Sequence, residues 1–166
     1  MEHRLLQRMS KTQSNLKLLA NDETDLSVFS AYLQDAIIVA QDIKFLLKNK
    51  TFACIFNRFM WEDAEQGVFR DNRRVRSALV FKNVLNVKSQ NINVKKKSTI
   101  LEFLAIEISK LKNNNFNLKL IFSGGGVISL EVEFIESTLE DFSESWTTKH
   151  KPCLLYTSDA ADEEDS

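Results

Sequence analysis

The chain has 166 residues (19.1 kDa), 43% hydrophobic and 27% charged, with 22 basic against 23 acidic side chains. That apolar share sustains a folded core, and the length suits one domain. No window holds the roughly 20 consecutive apolar residues of a membrane-spanning helix, the first residues lack a secretory apolar run, and two cysteines make no disulfide framework. A soluble protein of the reducing cytoplasm is expected, with no membrane association.

Residues 1–15 are polar and aperiodic and read as a flexible lead-in. Residues 16–20 read as a short strand. Asn21-Asp22-Glu23-Thr24-Asp25 then supplies a cap and an acidic first turn. Leu26, Phe29, Leu33 and Ala36 recur at helical spacing, which predicts one amphipathic helix over about 22–36. After it the period changes to two. Residues 37–40, 43–47 and 51–59 read as strands, the last with Phe52, Cys54 and Phe56 on one face. The charged stretch 62–74 reads as a surface loop. Val75, Ser77, Leu79 and Phe81 mark the next strand, which the pattern lets run on through 84–87.

Residues 89–98, with Lys95-Lys96-Lys97, read as a second loop. Residues 100–108 read as a strand covered on both sides, or as a short helix, because period alone does not separate the two. Phe116, Leu118, Leu120 and Phe122 alternate with Asn117, Lys119 and Ile121, and across Ser123-Gly124-Gly125-Gly126 Ile128, Leu130, Val132 and Phe134 alternate with Ser129, Glu131 and Glu133. That pair predicts an antiparallel hairpin with Leu118 and Leu130 pointing inward. Residues 138–144 read as a final short helix or turn. One helix followed by about seven strands predicts a single α+β domain over 16–152. Its mostly antiparallel sheet is expected to be strongly curled, or closed as a small barrel.

The last fourteen residues carry five acidic side chains and no basic one, so residues 1–152 hold 22 basic against 18 acidic groups. The run from Cys153 to Glu163 resembles the translation of a transposase sequencing adapter of the kind found in metagenomic reading frames. Residues 153–166 are therefore expected to be a non-native, disordered tail. Without it Cys54 stands alone.

Five stretches look familiar in this order: Leu16-Lys17-Leu18-Leu19-Ala20, Ser30-Ala31-Tyr32-Leu33-Gln34-Asp35-Ala36, Asn57-Arg58-Phe59-Met60-Trp61-Glu62, Arg74-Val75-Arg76-Ser77-Ala78-Leu79-Val80-Phe81, and the glycine hairpin from Phe122 to Glu133. With Leu139-Glu140-Asp141 and Trp146, they resemble an alphaproteobacterial family catalogued as domain of unknown function 2948. The resemblance covers 16–152, and the family implies no activity.

Chemistry is sparse. His3 and His150 lie at opposite ends, Cys54 sits on an apolar strand face, and no ligand spacing or cofactor motif occurs, so no metal and no cofactor are expected. Cys54 reads as a small buried hydrophobe. The three glycines lack the Lys-Ser/Thr and helix start of a phosphate cradle. Glu131 and Glu133 share a strand face, which suits a polar edge as well as acid–base work. Arg58 is placed to pair with Asp35 or a glutamate, tying helix to sheet. Arg70, Arg73, Arg74 and Arg76 cluster around one loop, Lys95–Lys97 form another run, and Trp61 adds a loop aromatic.

No catalytic residues are assigned. The leading expectation is a non-catalytic binding or adaptor module whose ligand contacts come from Asn57, Arg58, Trp61, Arg74 and Arg76, with a protein partner or a second copy of itself. One alternative is a small enzyme whose fold gathers Asn57, Arg58, Arg76 and Glu133 into a pocket. A second is weak RNA or ribosome association, which requires Arg70–Arg76 and Lys95–Lys97 on one face.

Overall fold

The computed structural model describes residues 16–60, 73–93, 95–142 and 146–147. Strand β1 (Lys17–Ala20) leads into helix α1 (Glu23–Leu33). Asp22 caps the helix by accepting from the Asp25 amide at 2.8 Å, while Asp25 accepts from the Asn21 amide at 2.9 Å. This reciprocal arrangement satisfies helix-end donors and places carboxylates at the positive end of the dipole. Leu26, Phe29 and Leu33 are buried, as their spacing predicts. The helix stops three residues before the expected end. Asp35 takes a left-handed conformation (φ 63°) and its amide bonds to the Phe103 carbonyl at 3.2 Å, turning the chain into the sheet.

Strands β2 (Ile37–Val39), β3 (Ile43–Leu46), β4 (Thr51–Phe59), β5 (Arg73–Phe81), β6 (Val84–Gln90), β7 (Ile100–Lys110), β8 (Phe116–Phe122), β9 (Val127–Val132), β10 (Ser137–Asp141) and β11 (Trp146–Thr147) follow. All pairings are antiparallel, in the order β1-β10-β5-β4-β2-β7-β8-β9-β6, with β3 also on β4 and β11 also on β5.

The α+β class and antiparallel pairing hold, but the expected sheet of about seven strands, curled or closed into a barrel, is wrong. The sheet has eleven strands among the described residues, ends on β1 and β6, and is neither closed nor strongly curled. Besides β1, which precedes the helix, three local features account for the miscount. Asn83 (φ 61°) breaks the run from β5, making β6 a separate strand at the far edge. Residues 137–141, expected as helix or turn, form a strand between β1 and β5. Residues 146–147 add a short strand on β5. Residues 100–110 are strand, so the helical alternative falls away.

The inner face carries one continuous apolar core drawn from α1 and nine strands, including Phe52, Phe56, Leu79, Phe103, Leu118, Leu130 and Leu139. The β8–β9 hairpin has the predicted register, with Leu118 opposite Leu130 and both fully buried. Phe134 is the exception. The chain bends after Val132, so Phe134 is 63% exposed and Ile135 turns inward instead. At the hairpin tip Gly124 and Gly125 have φ near +80°. A Cβ at Gly124 meets nothing within 4 Å, so its requirement for glycine is conformational alone. Gly124→Ala should cost about 1–2 kcal/mol in urea unfolding, and Gly124→Asn distinctly less, because asparagine tolerates the left-handed region.

Candidate functional site

Alternation along β4 and β5 decides which candidate side chains meet. Arg58 follows Phe52, Cys54 and Phe56 at every second position and faces inward; Asn57 faces the other way, opposite Arg76. The four described residues among the expected contacts, Asn57, Arg58, Arg74 and Arg76, therefore divide between the two faces of the sheet. Trp61 lies outside the described residues, as do Arg70, His3 and His150.

On the inner face Arg58 is fully buried. Its Nε donates to Asp141 Oδ1 at 3.0 Å and to Ser77 Oγ at 3.2 Å, its Nη2 to Asp141 Oδ2 at 2.6 Å, and its Nη1 to the Phe59 carbonyl at 2.9 Å. Ser77 Oγ donates to Asp141 in turn. The Tyr32 ring from α1 lies over the guanidinium at 5.4 Å. The planar fork of arginine matches a carboxylate through two parallel bonds, so β4, β5, β10 and α1 are locked at one point. Arg58 does tie helix to sheet, but its acid is Asp141 and neither Asp35 nor a glutamate. Asp141 escaped the sequence reading. The signal was present: Ser137, Leu139 and Asp141 occupy alternate positions, with a carboxylate where an apolar side chain is usual.

On the outer face, Arg74 is buried and stacks on the Phe59 ring at 4.1 Å, donating to the Asn57 carbonyl at 2.9 Å. Arg76 pairs with Asp42 at 3.7 Å, lies 5.8 Å from the ring of Phe142, and keeps 43% of its side chain exposed. Phe142 is itself 52% exposed. Next to Asp42 in sequence, the Gln41 amide bonds to the Lys97 carbonyl at 3.1 Å, which ties the Lys95–Lys97 loop to the turn that carries Asp42.

Glu133 lies past the end of β9 and pairs with Lys50 at 3.7 Å, so the residues of the enzyme alternative do not assemble into one pocket. Glu131 accepts from the Asn115 and Asn113 amides at 2.9 and 3.3 Å, and these bonds hold its carboxyl below the ordinary range. It braces the β7–β8 turn. Cys54 is buried, and desolvation pushes its thiol far above the ordinary cysteine range, which suits packing and opposes nucleophilic use. Among the described residues no group of three or more His, Cys, Asp or Glu side chains could hold a metal ion, and no helix is long and apolar enough to cross a membrane.

A family model described as protein of unknown function (DUF2948) matches residues 16–153. The chain belongs to that family. Neither the curated proteins nor the solved structures contain a match. The matched DUF2948 segment spans Arg58, Ser77 and Asp141 as well as Arg74 and Arg76, so both clusters lie within the family's own extent.

Proposed function

We propose that this DUF2948 protein is a non-catalytic binding or adaptor module that engages a protein partner at the end of the sheet where Asn57, Arg74, Arg76 and Phe142 converge, with Trp61 just beyond in sequence. The observation that carries this reading is the half-exposed guanidinium of Arg76 beside the exposed ring of Phe142. A cation and an aromatic face presented together suit an acidic segment that also offers an apolar side chain. Arg58, by contrast, is consumed by Asp141 and serves the architecture. The same reading keeps the protein in the cytoplasm of an alphaproteobacterium, takes 16–152 as its single domain, and takes 153–166 as an adapter-derived tail.

RNA association is the second reading, favoured by the backbone bond that ties the Lys95–Lys97 loop to Gln41, next to the Asp42 that pairs with Arg76. One experiment separates the two. Tagged full-length chain and its Arg76→Glu variant are used as baits in a native host, with and without ribonuclease. A stoichiometric protein that survives ribonuclease and is lost with Arg76→Glu supports the adaptor reading. Recovery that ribonuclease abolishes transfers the site to RNA, and recovery of bait alone in both arms overturns both.

A further inference from the structure

Strand β5 ends at Phe81, and the ladder it shares with β10 carries on for one more residue: the Lys82 amide donates to the Glu136 carbonyl at 2.9 Å. Lys82 and Glu136 are therefore opposed across the two strands, and both are exposed. Opposite charges at such positions ordinarily meet. Here they form no ion pair with each other; the Asn83 side-chain amide instead donates to Glu136 Oε1 at 3.1 Å and holds the carboxylate in place. Glu107 and Lys119 oppose each other in the same way on the other half of the sheet. What is particular to Lys82 and Glu136 is the cavity they share.

That cavity, about 130 Å³, is lined by Leu19, Asn21, Val80, Lys82, Glu136 and Thr138. One register row forms its apolar side, with Leu19 opposite Thr138 and Thr138 opposite Val80. The charged pair stands at the next position on the same face, about 7 Å further along by strand rise, and Asn21 completes the polar side. The volume is well below the roughly 300–1,000 Å³ of a drug-sized pocket, so a nucleotide or an extended cofactor does not fit, whereas a molecule the size of one amino acid does. Charge narrows the choice further. Glu136 opposes a simple anion and Lys82 a simple cation, so the layout suits a small molecule with both charges at one end and a short apolar group at the other.

We propose that this cavity, at the other end of β5 from Arg74 and Arg76, binds a free α-amino acid with a short aliphatic side chain. The ligand's carboxylate pairs with Lys82, its ammonium with Glu136, and its side chain rests on Leu19 and Val80. The site is independent of the partner contact at Arg76 and Phe142.

L-valine titrated into the full chain, followed through the backbone amide shifts of Val80 and Thr138, tests the assignment. A millimolar dissociation constant is expected for a ligand of this size. Valinamide, which lacks the carboxylate, and isovalerate, which lacks the ammonium, should each bind at least about tenfold more weakly. Lys82→Met should erase the preference for valine over valinamide, and Glu136→Gln the preference for valine over isovalerate, with circular dichroism unchanged. Such matched losses separate lost recognition from lost fold. Absence of saturable shifts up to about 50 mM valine overturns the proposal. So does equal binding of all three compounds by the parent chain, or valine binding that both substitutions leave intact.

Discussion

Asp141→Ala is expected to destabilise the protein by about 3–5 kcal/mol, because it leaves the Arg58 guanidinium fully buried without its carboxylate. The loss combines an uncompensated charge with the release of β10 from β4 and β5, to which Asp141 is tied through Arg58 and Ser77. Ser77→Ala should cost less, about 1–2 kcal/mol, since the carboxylate keeps both guanidinium bonds. Urea unfolding followed by tryptophan fluorescence and circular dichroism measures both. An Asp141→Ala loss below about 1 kcal/mol, the value of a solvent-exposed pair, would show the pair to be solvated.

Phe103→Ala should be comparably severe, at about 3–5 kcal/mol. Phe103 lies where the first part of β7 pairs with β2 and the remainder with β8, at the bulge between Phe103 and Ala105. Its ring meets Phe56 edge-on at 5.7 Å and Phe122 at 6.1 Å, so one side chain joins the β4–β5 half of the core to the β8–β9 half. Its amide also donates to the Ala36 carbonyl at 2.9 Å, anchoring the exit from α1. Truncation opens a cavity between the two halves that neither can fill alone. Phe103→Leu should retain much of the lost stability by keeping apolar volume. A single cooperative transition at lower urea with an unchanged slope is the expected form of the result. A change in slope would mean that the halves unfold separately.

Much of this was legible where the signal is local. Asp22 and Asp25 announce the helix start, and the bounds of β4 follow from Thr51 to Phe59 alternating without interruption. The glycine turn fixes the register of β8 and β9. What stayed hidden is non-local or interrupts a period. Residues 137–141 hide as a strand because two of the three inward positions are Ser137 and Asp141, whose burial depends on partners elsewhere in the chain. Arg58 and Asp141 are 83 residues apart, and no spacing rule connects them. The break at Asn83 was invisible because the pattern on either side, Phe81 and Val84, is equally apolar. The candidate contacts suffered from the same cause: Asn57 and Arg58 are adjacent in sequence, and strand geometry therefore sends them to opposite faces. The expected curvature of the sheet rested on no particular residue, and the open sheet contradicts it.

On this reading the buried polar cluster on β4, β5 and β10 is architectural. The double variant Arg58→Met/Asp141→Leu puts this to the test by replacing the ion pair with apolar groups of similar bulk. Its unfolding free energy should return to within about 1–2 kcal/mol of the parent, well above Asp141→Ala, while any partner captured by the parent is still captured. A variant that regains stability yet loses its partner would contradict the claim, and would make Arg58 and Asp141 part of the working site.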